Sequence, residues 1–99
     1  MARFDVFLNE GGAGYLLDVQ SDLLSGLNTR VVVPLLPKSS APSPAQRLNP
    51  VFSIEGQTLV MATQYMAAVP TSELRSGAGS LAEQQDEISE ALDMLFLGF

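Results

Sequence analysis

Histidine and cysteine are the side chains that most readily do chemistry near neutral pH, and this 99-residue sequence contains neither. The commonest general base, the thiol nucleophiles and the nitrogen and sulfur ligands of a zinc site are therefore missing, as are disulfides. Serine remains, but no serine stands in a Gly-x-Ser-x-Gly elbow. The glycines of "EGGAG" and "GAGS" lack the Gly-Lys-Ser/Thr ending of a phosphate loop and read as turn and helix entry. The expectation is a protein that is not an enzyme and has no catalytic residue, no cofactor and no resident metal.

Two other groups of residues could act by binding. Glu83, Asp86, Glu87, Glu90 and Asp93 lie in a region with no Lys or Arg after Arg75. Their carboxylates have no i,i+4 partner, and Asp93 falls near the negative end of a helix dipole. Such a row is most often a solvated face; a docking surface for a basic protein segment is the functional reading, and a magnesium site is a weaker third. The second group is the ending "ALDMLFLGF", where Met94, Leu95, Phe96, Leu97 and Phe99 are apolar around Gly98. A helix stripe about 100° wide cannot hide so many successive positions, so an exposed Leu-Gly-Phe tip has the character of a partner anchor.

The elements that must position these groups begin with an alternating strand, "RFDVFL", with Phe4, Val6 and Leu8 on one face and Phe7 on the other. "NEGGAG" is a turn cluster, and "YLLDVQ" returns with Tyr15, Leu17 and Val19 on a common face, which makes a hairpin. "SDLLSGLN" reads as a short exposed segment with one helical turn. "TRVVVPLL" has the near-continuous apolar, β-branched character of a strand covered on both faces, although Pro34 cannot donate to a ladder and implies an edge or a bulge. The Pro- and Ser-rich stretch from Pro37 to Pro50 is an irregular loop. Two strands follow about Glu55-Gly56-Gln57, and "YMAAVP" forms a last short strand closed by Pro70.

"SGAGS" reads as a flexible connection. Ser80 and Glu83 then have the spacing of a capping box, after which Leu81, Ile88, Leu92 and Leu95 line one helix face. The final residues either continue that helix or peel away from it.

The length suits a single domain, 1-99, small enough for an oligomer interface to help stabilise it. At a net charge of -6, with Arg3, Arg30, Lys38, Arg47 and Arg75 scattered, direct nucleic-acid binding is not expected. Asp5 and Glu10 interrupt any signal-peptide core, and no run approaches the ~18 apolar residues of a membrane span, so the reading is cytoplasmic with no membrane partner.

Five blocks, "DVQSDLL" (18–24), "RVVVPL" (30–35), "LNPVF" (48–52), "MATQYMAAVP" (61–70) and "ALDMLFLGF" (91–99), resemble the CcdB family of plasmid-addiction toxins in order and spacing along the whole chain. The resemblance implies an α+β fold: an SH3-like antiparallel β-barrel, a small accessory sheet, a C-terminal helix and a two-fold homodimer. It also implies the action of a DNA gyrase inhibitor and topoisomerase poison, which binds the A subunit of DNA gyrase, stabilises the cleaved gyrase–DNA complex and is neutralised by a cognate antitoxin. The gyrase-contacting ending of the family corresponds to Leu97, Gly98 and Phe99, with Asp93, Phe96, Leu23 and Leu24 as neighbours of that surface. Here Leu97 stands where the best-known members have Trp, and Asp93 replaces an Asn-type residue. Two alternatives accompany this reading: a non-toxic binding module that keeps the antitoxin but has an altered target, and a MazF/Kid-type endoribonuclease, which the net charge and the lack of histidine disfavour.

Overall fold

The computed structural model describes residues 1–99. Strands β1 (Asp5–Leu8) and β2 (Tyr15–Asp18) form the first hairpin, with Val6 opposite Leu17 and Leu8 opposite Tyr15. They are followed by β3 (Thr29–Pro37), β4 (Val51–Ile54), β5 (Gln57–Met61), β6 (Ala67–Pro70), β7 (Gly77–Ser80) and the helix α1 (Gln85–Leu97). The strand order is β4-β5-β3-β2-β1-β7, with β6 also on β3, and every pairing is antiparallel. The result is a curved half-barrel sheet with one helix, the SH3-like α+β arrangement anticipated above, except that all seven strands belong to one sheet, β6 included through β3, and the small accessory sheet is not a separate one. No helix is long and apolar enough to cross a membrane.

β3 organises the sheet because its nine residues serve three partners. One edge pairs with β2 from Val32 to Leu35. The other pairs with β6 over Thr29–Val32 and with β5 over Leu35–Pro37. Pro34 lies neither at the sheet edge nor at a bulge, as its sequence context implied, but in this central strand at the point where one edge changes partner. Its carbonyl accepts from the Ala62 N–H at 2.9 Å, so the imide nitrogen on the same side falls in the gap between β6 and β5. No ladder bond is lost there.

Alternation along β2 and β3 divides their side chains between two clusters. Tyr15, Leu17, Val33 and Leu35 join Phe52, Ile54, Leu59 and Met61 in the main core, which Leu81, Ile88 and Ala91 close from the helical segment. On the opposite face Phe7, Val32 and Leu74 form a smaller cluster backed by Leu16 and Val69. β3 is thus covered on both faces, and Phe7 has its own core. Leu8, expected to face inward with Phe4 and Val6, is exposed. Phe4 precedes the strand in a left-handed conformation, φ 75°, rare for a bulky residue. Its N–H donates to the Asp18 carbonyl at 2.7 Å and its carbonyl accepts from the Leu81 N–H at 2.9 Å, so burial and pairing hold the strained backbone in place.

"SGAGS", read from sequence as a flexible connection, supplies β7. It pairs with β1, Asp5 opposite Ser80 and Phe7 opposite Gly77, with a register shift that leaves Ala78 without an opposite residue. Propensity gave no warning because this strand forms through backbone bonds to a waiting edge rather than by burying branched side chains. "YMAAVP" is therefore not the last strand. The helix differs too: its first turn is a 3-10 turn over Ala82–Gln84, and Ala91 rather than Leu95 occupies the core beside Ile88. Leu92 packs against the core only partly. Ile88→Ala should lose about 2–5 kcal/mol through a cavity, while Leu95→Ala should lose roughly 1 kcal/mol. Urea unfolding with equal losses for the two would contradict this placement.

The β4–β5 turn reaches back to β2. Glu55 and Gly56 both have positive φ, 51° and 80°, as a two-residue hairpin of the right twist requires. This places the Glu55 carboxylate where it accepts from the Tyr15 hydroxyl at 2.8 Å. That hydrogen bond, with burial and the carboxylate charge, holds the Tyr15 phenol above its ordinary pKa of 10.0. Folding thus favours the protonated phenol, and the contribution is complete below pH 10.0 and is lost as pH rises through the raised value. In a Tyr65→Phe background, phenolate absorbance should show Tyr15 titrating closer to 10.0 after Glu55→Gln; an unchanged titration would remove Glu55 as the cause.

Candidate binding surface

The exposed helix tip follows from how α1 is anchored. Ahead of it the Ser80 hydroxyl accepts from the Ala82 N–H at 3.1 Å, but it does not reach the Glu83 N–H and Glu83 does not reach back, so the capping box anticipated from Ser80 and Glu83 does not form; the caps of the 3-10 turn and of α1 are Leu81 and Gln84, without side-chain bonds. In its middle, Ile88 and Ala91 are buried. The last turn has no such anchorage. Phe96, Leu97 and Phe99 are 67%, 61% and 74% exposed, while Met94 and Leu95 are half-buried.

The helix continues to Leu97 and stops at Gly98, whose φ of 82° is the left-handed cap conformation that a side chain would oppose. The Gly98 N–H donates to the Asp93 and Met94 carbonyls at 3.1 and 3.2 Å, which closes the helix and fixes the direction in which Phe99 leaves it. The tip is consequently a short apolar projection on an ordered end rather than a frayed tail.

The acidic side of α1 and of the 3-10 turn before it is solvated, with Glu83, Asp86, Glu87 and Asp93 exposed and engaged in no ion pair. Glu90 does find a cation, Arg47 from the Pro- and Ser-rich loop at 3.1 Å, a long-range partner that helix spacing alone could not reveal. Both side chains are exposed, so the pair contributes at most about 1 kcal/mol. No three carboxylates converge as a metal cage.

Leu23 and Leu24 sit on a different element, a 3-10 turn over Asp22–Leu24 between β2 and β3. Leu23 is 95% exposed and no residue of the turn is buried. Polar bonds hold it instead. The Ser21 hydroxyl accepts from the Leu23 N–H at 3.2 Å, and Asp22 Oδ1 accepts from the Arg3 N–H at 2.9 Å. Gln20 spans the loop: Nε2 donates to the carbonyls of Leu24 and Thr29 at 3.4 and 3.2 Å, and Oε1 accepts from the Val31 N–H at 3.1 Å.

Beneath it, Arg30 is nearly fully buried and donates from Nε and Nη2 to Asp18 Oδ2 at 2.8 and 2.6 Å, while Asp18 Oδ1 accepts from the Gln20 N–H at 3.0 Å. Burial pushes the Asp18 carboxyl above its ordinary pKa, with the Arg30 guanidinium and the Gln20 N–H pulling the other way.

The sequence-derived site residues therefore fall in two places. Asp93, Phe96, Leu97, Gly98 and Phe99 share the end of α1, whereas Leu23 and Leu24 share the β2–β3 turn, and no hydrogen bond or buried apolar cluster joins the two within one chain. Sequence reasoning did not single out Asp18, Gln20 and Arg30 as supports of that turn. Their signal was present: the alternate polar positions of "DVQSD" put Asp18 and Gln20 on one side of an extending strand, opposite a lone Arg in an apolar one.

The model of one protein family, described as CcdB protein, matches residues 3–98. Among solved structures, the chain is similar to an endoribonuclease in complex with its cognate antitoxin from a mycobacterial species. That likeness has a TM-score of 0.79 at 18% identity and covers 100% of this chain and 98% of the other. It is also similar to the Mycobacterium tuberculosis toxin MazF-mt6, with a TM-score of 0.76 at 17% identity over 95% of this chain and 96% of that one. At such identities the structural likeness is one of fold.

Proposed function

The chain belongs to the CcdB family, toxins of toxin–antitoxin pairs, and we propose that it acts by binding the A subunit of DNA gyrase through the tip of α1, stabilising the complex in which DNA is cleaved and covalently held. The observation that carries this is the exposure of Phe96, Leu97 and Phe99 on an end ordered by the Gly98 cap. Large apolar side chains that lie outside the core and on a rigid element are the material of binding hot spots. Asp93 borders this anchor, Leu23 and Leu24 supply a second apolar contact, and residues 1–99 act as one toxin domain without catalytic chemistry of its own.

An RNA-cutting activity would draw on the same fold, but the cations here are ill placed for a phosphate backbone. Arg30 is buried against Asp18, Arg47 faces Glu90, and Arg3 is spent on the Val19 carbonyl and the Phe4 ring. Lys38 and Arg75 remain, set against a net charge of -6. The partners we propose besides gyrase are a second copy of the chain and a cognate antitoxin. β6 pairs only with β3, and its outer edge carries the exposed small residues Ala67, Ala68 and Pro70 next to Tyr65, a surface suited to a closed two-fold contact. The unpaired carboxylates of α1 suit basic side chains of an antitoxin segment that folds on binding.

Deleting Leu97 to Phe99 should abolish stabilisation of the cleaved complex by purified gyrase while costing within about 1 kcal/mol of stability, as for exposed groups. Leu97→Trp should strengthen inhibition of a gyrase that Trp-bearing members of the family attack. A deletion variant that remains a full inhibitor would sink the tip-centred reading, and a wild-type chain inert toward gyrase would leave the altered-target module. Light scattering should give twice the chain mass of 10.6 kDa at tens of micromolar, roughly ordinary assay conditions; a monomer there would refute the dimer.

A further inference from the structure

The 3-10 turn over Asp22–Leu24 is a loop without a hydrophobic foothold. None of its residues is buried, and the Leu23 side chain is 95% exposed, so packing cannot be what orders it. Its order comes from polar bonds: backbone pairs within the turn, Leu24 N–H to the Ser21 carbonyl at 3.0 Å and Ser25 N–H to the Asp22 carbonyl at 3.2 Å, the Ser21 and Asp22 side chains, and Gln20 from beneath. Gln20 is itself buried, and its amide uses both ends: Nε2 holds the Leu24 carbonyl on the turn and the Thr29 carbonyl at the start of β3, while Oε1 holds the Val31 N–H within β3.

The backbone of Gln20 is fixed in turn from below, its N–H by Asp18 and its carbonyl by Arg30 Nη2 at 3.4 Å. No buried side-chain nitrogen or oxygen in the chain is left without a partner, so this clamp is complete. A fully bonded interior polar group thus lies beneath a turn whose leucines stay in solvent, Leu23 at 95% and Leu24 at 49%. It is well suited to holding an apolar contact ready, because a partner then meets a turn whose conformational entropy has already been lost in the free protein.

We propose that Gln20 is a positioning residue for target recognition, ordering the Leu23–Leu24 turn before the partner arrives; the inference rests on the gyrase reading above for the identity of that partner. Gln20 contacts no partner itself. Its removal should loosen the turn and weaken binding through Leu23 and Leu24 alone, leaving the sheet and the α1 tip as they are.

The test uses the full-length chain with Gln20→Met, which keeps the side-chain length and removes all three amide bonds. Hydrogen exchange should speed up by about tenfold or more at the amides of Leu24, Ser25 and Leu27 and stay unchanged at Val33 and Leu35. Binding to the purified A subunit of gyrase should weaken by roughly tenfold, and the same substitution should have no further effect in a Leu23→Ala, Leu24→Ala background, because the coupling runs through those leucines. If Gln20→Met does not fold, Ser21→Ala removes only the turn cap and should move exchange and binding in the same directions by less.

Unchanged exchange at the turn, or an equal loss of binding with and without the two leucines, would overturn the proposal. A wild-type chain that does not bind gyrase overturns the underlying reading and the recognition part with it, whereas accelerated exchange confined to the turn would still uphold the ordering part.

Discussion

Arg30 has almost no access to water, so the chain must supply the solvation of its guanidinium. Asp18 does so with one carboxylate oxygen, and the carbonyl of Gln20 and the carboxylate of Asp22 lie at the longer distances of 3.4 and 3.5 Å. Asp18 ends β2, Arg30 lies near the start of β3, and the loop between them carries the exposed leucines. A pair of this kind adds less net stability than its short distance suggests, because both charges were better hydrated in the unfolded chain; breaking one side, however, leaves an uncompensated charge and costs about 3–5 kcal/mol. Its value lies in geometry. Few positions of the β2–β3 loop satisfy Arg30, Asp18 and Gln20 together, and the one adopted fixes the turn.

The same separation between support and display governs the helix. Ile88 and Ala91 anchor α1 against the sheet, and the 3-10 turn over Ala82–Gln84 leads into it from β7. Beyond Ala91 the axis runs past the core, so Phe96 and Leu97 are held by an ordered helix without being covered by it. The Gly98 cap matters because a frayed end would offer the same apolar atoms at a larger entropic cost to a partner. Both apolar displays, the tip and the Leu23–Leu24 turn, are thus presented on backbone whose hydrogen bonds are already made. A neighbouring row of carboxylates with little cationic company biases the surface toward partners carrying positive charge.

Local pattern was a good guide wherever one side-chain period decided an element. Alternation located β1 and β2, with Tyr15, Leu17 and Val19 on the buried face; a β-branched apolar run located β3, turn and proline signals located β4 to β6, and the seven- and four-residue spacings from Leu81 to Ile88 and Leu92 located the helix. The apolar excess at residues 94–99 declared that something had to be exposed there, since a single helix stripe has finite width. Resemblance added the family, which spacing alone could not have supplied.

What escaped the sequence were contacts between residues far apart along the chain. β7 has no propensity of its own and exists because β1 offers an open edge; Pro34 is harmless only because β6 ends and β5 begins on either side of it. Arg47 and Glu90, 43 residues apart, meet through the loop's path, and Tyr15 finds Glu55 only when a hairpin closes over β2. The sequence by itself determined which segments could be strands or helix and that an apolar surplus would be left over, because those properties depend on neighbours within a few residues. Only the tertiary structure decided where that pattern broke, with Leu8 left outside and Ala91 rather than Leu95 inside, and which polar side chains lie beneath the exposed turn, because burial and hydrogen-bond partnership are set by the path of the whole chain.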